Sequence, residues 1–217
     1  MDNSLPHYII AIGASAGGLE EINAFFDHTP MDGVSYVIIQ HLSPDFKSRM
    51  VELLDKHSKL EVFEAENDML VKSNQVYIIP HDKFMDIRNG HLHLSEKRNV
   101  KAPHLTVNHF FNSLAADCGK KAIAVVLSGL GSDGTEGVKA ISKAGGMVIA
   151  RDPQSSKFSS MPSHAIATGM VDYILEPEKM PGTIEDYVKL EVELRANTKD
   201  DEKYAKAIVK LIKEQSP

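Results

Sequence analysis

The sequence predicts an α/β protein: a doubly wound, mostly parallel sheet with helices on both faces and an inserted β-hairpin. Three observations carry that expectation. Continuous apolar runs of strand length recur at residues 8–12, 34–39 and 122–127, the pattern of strands buried on both faces. Segments with apolar residues at helical spacing follow them, which gives the strand–helix alternation of a parallel sheet. Asn89-Gly90 sits between two short strand-like segments, the strongest short hairpin signal.

In chain order, residues 8–12 form the first apolar run, which stops at Gly13. Residues 19–28 then read as a helix, with Leu19, Ile22, Phe25 and Phe26 on one side. Residues 34–39 read as a second buried strand, and 46–56 as a helix with Met50, Leu53 and Leu54 aligned. Residues 75–79 and 84–87 are strand-like, and Asn89-Gly90 joins the latter to 91–94. Residues 107–116 are helical, 122–127 a strand, and 136–143 a helix ended by Gly145-Gly146. Residues 147–150 and 171–175 complete the strands. Residues 1–182 read as one domain and 183–217 as a charged C-terminal extension, with 8 acidic and 7 basic residues among its 35. Ile184, Tyr187, Val188, Val192 and Leu194 keep helical spacing there. A surface helix packing back on the domain and a linker toward another domain both fit that pattern.

Composition narrows the function classes. The chain has 217 residues, 42% of them hydrophobic, which suits one sizeable core rather than a disordered chain. Cys118 is the only cysteine, so no disulfide framework can form within the chain. A net charge of -6 gives no electrostatic support for binding nucleic acid. No apolar stretch approaches the roughly 20 residues of a membrane-spanning helix, and the N-terminus lacks the basic region of a secretory signal, so a cytoplasmic location is expected.

Ligands in open parallel sheets bind beyond the carboxyl ends of the strands. There the sequence sets Ser15 within Gly13-Ala14-Ser15-Ala16-Gly17, His41 after the second run, and Asp133 within Ser128-Gly129-Leu130-Gly131-Ser132-Asp133-Gly134. A hydroxyl needs a base to become nucleophilic. Imidazole titrates near about 6.5 and can serve, and a carboxylate holds its tautomer. The small residues around Ser15 fit a sharp strand-to-helix turn, although a glycine-rich turn capping a helix through Ser15 would look the same. The order Ser15, His41, Asp133 is not that of the α/β-hydrolases, whose acid precedes the histidine.

A rival reading rests on Gly129 to Gly134, a G-x-G-x-x-G stretch after a strand, with Asp152 18 residues beyond it, the spacing of a dinucleotide-binding loop. Asp133 opposes it, because a carboxylate at about 4 Å from a pyrophosphate charge costs roughly 4 kcal/mol at an effective dielectric near 20. His81, His91 and His93 have no recognisable zinc spacing and read as hairpin surface. No cofactor is expected.

Five segments together resemble the catalytic domain of the CheB-type protein-glutamate methylesterases: IGASAGG (12–18), IIQHLSPDF (38–46), VYIIPHDKFM (76–85), VVLSGLGSDGTEG (125–137) and SSMPSHAIATGMVD (159–172). The resemblance implies hydrolysis of γ-glutamyl methyl esters, and in some members glutamine deamidation, on the cytoplasmic helical region of methyl-accepting chemoreceptors. It implies Ser15 as nucleophile, His41 as base and Asp133 as its orienting acid. It also implies a backbone oxyanion donor at Leu130, joined by one near Ala16, and Met161 and Pro162 at the mouth of the acyl site. Ala16 stands where the family often has Thr, Leu130 where Met is common, and Asn108 where Asp is common, so no function is carried to Asn108. The resemblance begins at His7, so no phosphorylation-receiver domain is expected ahead of it. The charged segment after Thr183 resembles a lead-out to a fused methyltransferase domain; a separate methyltransferase is the other arrangement. A catalytically silent receptor-docking module is the remaining non-enzymatic expectation.

Overall fold

The computed structural model describes residues 5–40, 50–97 and 105–193. A seven-stranded, all-parallel sheet forms the centre. Its strands are β1 (Ile9–Ala14), β2 (Ser35–Gln40), β3 (Glu61–Glu64), β5 (Gln75–Ile78), β8 (Ala122–Val126), β9 (Met147–Arg151) and β10 (Tyr173–Leu175), in the order β10-β9-β8-β1-β2-β5-β3. β1 lies in the middle, pairing Ile9 with Ser35 of β2 on one side and with Ala122 of β8 on the other. The chain leaves β1 toward β2 and later returns to β8 on the opposite side. The gap between the ends of β1 and β8 is therefore the switch point, where open α/β sheets bind ligands.

Side chains alternate across these strands, so each face buries its own set. On one face Ile9, Ala11, Val37, Ile39, Ala124, Val126 and Val148 join Val107, Phe110, Phe111 and Leu114 of α3 (Thr106–Cys118) and Val138 and Ile141 of α4 (Thr135–Lys143). On the other, Tyr36 meets Phe25 and Phe26 of α1 (Gly18–Phe26) edge to face, at centroid distances of 5.8 and 5.3 Å. Such pairs add about 0.5–1.5 kcal/mol beyond their buried area. The expected helices on both faces are thus present. α4 closes with Gly145 at φ +80°; Gly145 N–H donates to Ser142 C=O and Gly146 N–H to Ile141 C=O, a Schellman ending at the predicted glycines.

The predicted hairpin is β6 (Lys83–Arg88) and β7 (His91–Glu96), turning at Asn89 and Gly90, both with positive φ. It belongs to a separate antiparallel sheet, completed by the two-residue β4 (Met69–Leu70). Met85, Ile87 and Leu92 bury its inner face in the α3 core. Two strands and one α-helix lay outside the expectation: β3, β4 and α5 (Ser160–Ile166). The first strand also runs further than expected, through Gly13 and Ala14, because both stay in register with Ile39 and Gln40. Of the expected helix at 46–56, α2 (Met50–Leu54) is seen; residues 46–49 lie outside the described residues.

By internal packing the chain divides into Met1–Pro181 and Gly182–Pro217. A helix, α6, covers 180–193. Val192, expected on its apolar side, is exposed, and Leu194 lies outside the described residues. Among the described residues no helix is long and apolar enough to cross a membrane.

Cys118 ends α3. Burial, with Asp117 beside it and only partial relief from Lys121, pushes its thiol up to about 12. The nucleophilic thiolate is then scarce at neutral pH. Iodoacetamide is expected to modify the folded protein far more slowly than the urea-unfolded chain at pH 7.5. The folded rate should keep rising through pH 10, where an ordinary thiol near about 8.5 would have levelled off. Equal rates for both states would contradict this environment.

Candidate active site

Ser15 is the first residue after β1. Its N–H donates to the carbonyl of Ser128, the second residue after β8, at 2.9 Å, so the two loops flanking the switch point are tied together. Ser15 does not cap the following helix. Gly17 is the cap residue of α1, in left-handed backbone at φ +74°, and no side chain caps it. The hydroxyl is thereby relieved of the structural task that a glycine-rich turn would otherwise give it.

The β8 loop is fastened on both sides. Gly129 N–H donates to Phe158 C=O at 2.9 Å, Met161 N–H donates to Gly129 C=O at 3.0 Å, and Ser160 Oγ donates to Gly131 C=O at 3.0 Å. Gly129 has no room for a side chain: a Cβ there would stand 2.0 Å from Met161 Sδ and 3.0 Å from Ser15 Cβ. Met161 and Ser15 therefore flank one glycine. Pro162, like Met161, is buried. Leu130 projects outward, 64% exposed, beside this point. Among the described residues, neither the Ala16 N–H nor the Leu130 N–H has a backbone acceptor.

Asp133 is buried, and its carboxylate gathers backbone donors. Oδ2 accepts from Val107 N–H at 3.0 Å, and Oδ1 accepts from Asn108 N–H and Gly134 N–H at 2.9 Å each. Val107 and Asn108 open α3, which has no cap side chain of its own. Asp133 supplies that cap from 25 residues away, and its charge suits the positive end of the helix. Asn108, given no role from the sequence, returns the tie: its Oδ1 accepts from Gly137 N–H of α4 at 2.9 Å. Lys97, half-buried at the end of the hairpin, donates from Nζ to His81 C=O at 2.8 Å. Burial draws its ammonium below the ordinary value, against the opposing pull of Asp82 and Asp133. His41 lies outside the described residues, so Ser15 and Asp133 are the predicted triad members whose surroundings can be stated.

The dinucleotide reading fails on this geometry. At the start of α4, the helix that the Gly129–Gly134 stretch opens, the donors an anion would need are already engaged: Gly134 N–H donates to the Asp133 carboxylate and Thr135 N–H to Ser132 C=O. Asp152 Oδ1 is engaged locally, accepting the N–H of Gln154 in a turn. Among the described residues, no three His, Cys, Asp or Glu side chains converge as metal ligands would.

Sequence reasoning missed an ionic cluster around the buried Arg151, behind the β8 loop. Glu21, Arg151 and Glu176 are linked by Arg151 Nε to Glu21 Oε1 at 2.9 Å and Arg151 Nη1 to Glu176 Oε2 at 2.7 Å. The available signal was Arg151 itself, a lone cation ending a strand whose other residues, Met147, Val148, Ile149 and Ala150, are all apolar.

The comparisons with known proteins agree with this layout. The catalytic domain of the Thermotoga maritima CheB methylesterase, a crystal structure, superposes with a TM-score of 0.74 at 33% identity, over 83% of this chain and 98% of that one. The Pyrococcus horikoshii protein-glutamate methylesterase/protein-glutamine glutaminase is 33% identical over 186 residues, which is 83% of this chain and 50% of the relative. An uncharacterized 104.1 kDa protein of Rhodobacter capsulatus is 42% identical over 139 residues, 64% of this chain and 14% of its own length. The chain thus spans half or less of these curated relatives. The CheB methylesterase profile matches residues 10–184, and with most of its length covered the chain belongs to the CheB methylesterase family.

Proposed function

We propose that this protein is a serine esterase that hydrolyses γ-glutamyl methyl esters on the cytoplasmic helices of chemoreceptors, and that it works in the cytoplasm. The observation that carries the proposal is the tie between Ser15 N–H and Ser128 C=O, which sets the candidate nucleophile against the loop bearing Leu130 and Asp133 at the sheet's switch point. The catalytic unit is residues 1–182, with 183–217 as a charged extension that leads toward a methyltransferase domain, fused or separate.

In this reading His41 removes the Ser15 proton as Oγ attacks the ester carbonyl. The Ala16 and Leu130 N–H groups receive the oxyanion; each such donor is worth about 3 kcal/mol in the transition state. His41 then protonates departing methanol, and water attacks the acyl-enzyme with the same imidazole as base. Asp133 orients that imidazole. Met161 and Pro162 support the acyl end of the site, with Met161 seated against Gly129. Glutamine deamidation follows the same path with ammonia as leaving group.

The test is methanol release from a methylated chemoreceptor cytoplasmic fragment. Release is expected to rise with pH through the ordinary imidazole range, about 6–7, as the base loses its proton, and to collapse in His41→Ala. A flat profile between pH 5 and 8 with chemistry rate-limiting would remove the imidazole from the mechanism. Binding of the fragment without methanol release would leave only a docking module.

A further inference from the structure

We infer that the Glu21–Arg151–Glu176 cluster is a positioning device that sets the reactivity of Ser15 through Ser128; the inference rests on the serine-hydrolase reading above. Glu21 lies in the first turn of α1, six residues after Ser15. Its carboxylate grips Ser128 twice: Oε2 accepts Ser128 N–H at 2.8 Å and Oε1 accepts Ser128 Oγ–H at 2.6 Å. The carbonyl of the same Ser128 accepts the N–H of Ser15. One residue therefore stands between the carboxylate and the backbone of the nucleophile.

The cluster is held from behind by two further strand ends. Arg151, at the end of β9, gives Nε to Glu21 and Nη1 to Asp152 C=O, Ser155 Oγ and Glu176. Glu176 directly follows β10. The Arg151 and Glu21 side chains are only 6% and 14% exposed, so these charge-assisted bonds are little screened. The Ser128 hydroxyl donates to Glu21, so the Ser156 hydroxyl, 2.5 Å away, donates to Ser128. Ser156 Oγ accepts Phe158 N–H, and Phe158 C=O accepts Gly129 N–H. The bonds thus close a ring around Ser128 and Gly129, the two residues leading into Leu130. No member of the ring belongs to the proposed triad or oxyanion pair: it acts on the chemistry only by fixing where Ser15 and the Leu130 amide stand. A displacement near 1 Å at a reacting group can cost about 100-fold in rate.

The experiment uses the full chain and a fluorophosphonate that phosphonylates the nucleophilic serine with loss of fluoride, read as separate kinact and KI. In Glu21→Gln the amide NH2 confronts a donor whichever way it turns: the Ser128 N–H when the oxygen keeps the Arg151 Nε–H and Ser128 Oγ–H, or the Arg151 Nε–H when the oxygen keeps the Ser128 N–H. Labelling of Ser15 is expected with kinact lowered about 10- to 100-fold and KI within about twofold. A merely structural role would lower the fraction of protein that can be labelled, not the rate of the folded molecules. Should Glu21→Gln fail to fold, Ser128→Ala decides: it deletes one hydroxyl donor to Glu21 and keeps both backbone bonds, and kinact should fall about three- to tenfold. Labelling of the unaltered protein with kinact unchanged in the folded variants overturns the positioning role alone. No labelling of the unaltered protein overturns the hydrolase reading and this inference with it.

Discussion

Ser15→Ala is expected to lower ester hydrolysis by roughly 10⁴- to 10⁶-fold in kcat while leaving stability within about 0.5 kcal/mol of the unaltered protein. Both halves of that expectation come from what Ser15 does in the fold. Its structural bond runs from the main chain, N–H to Ser128 C=O, and alanine keeps that donor. The helix behind it is capped by Gly17, so no cap is lost. In the proposed mechanism the hydroxyl is then left to the chemistry alone, and deleting it removes the covalent path. The check is a rate of methanol release set beside urea unfolding midpoints, with loss of fluorophosphonate labelling as the third reading. A variant retaining more than about a tenth of the rate would take the serine out of the reaction.

How much of this was legible in the sequence varies by element, for physical reasons. β1, β2 and β8 announce themselves because they are buried on both faces and can carry almost nothing polar. β3 does not: it is an edge strand with exposed Glu61 and Glu64 at its ends, and only Val62 and Phe63 between them. β4 is two residues long, and α5 is seven residues with Pro162 inside it, too short for a helical period to register. Ser15 and Asp133 were readable as residues following strands. That β1 lies between β2 and β8 was not, because pairing order leaves no local trace, and it is this order that puts the two loops side by side. The Glu21–Arg151 pair spans 130 residues, and only the oddity of an arginine closing an apolar strand hinted that an anion must await it.

Asp133 carries the second large effect, and it differs from that of Ser15 in kind. Asp133→Ala strips the acceptor from three backbone N–H groups at once: Val107, Asn108 and Gly134. Each buried donor left unpaired costs about 1–3 kcal/mol, and the loss of charge at the start of α3 adds to it; water entering the vacated space offsets part. A destabilisation of about 3–5 kcal/mol is expected, among the largest for a single substitution. Asp133→Asn separates the two roles. Its single carbonyl can still take the Asn108 and Gly134 donors, but its NH2 group faces Val107 N–H, donor against donor, for a loss of about 2 kcal/mol. That variant should still fold, so its kcat can be measured per folded molecule. A fall of about 10³- to 10⁴-fold is expected, because an amide cannot hold the imidazole in the tautomer that a carboxylate selects. Unchanged unfolding midpoints in both variants would mean the α3 cap contributes little. A kcat within tenfold in Asp133→Asn would confine Asp133 to the architecture. The pairing of a stability-neutral Ser15→Ala with a stability-costly Asp133→Asn, both inactive, is the signature of a site in which the acid also fastens the helix that covers the sheet.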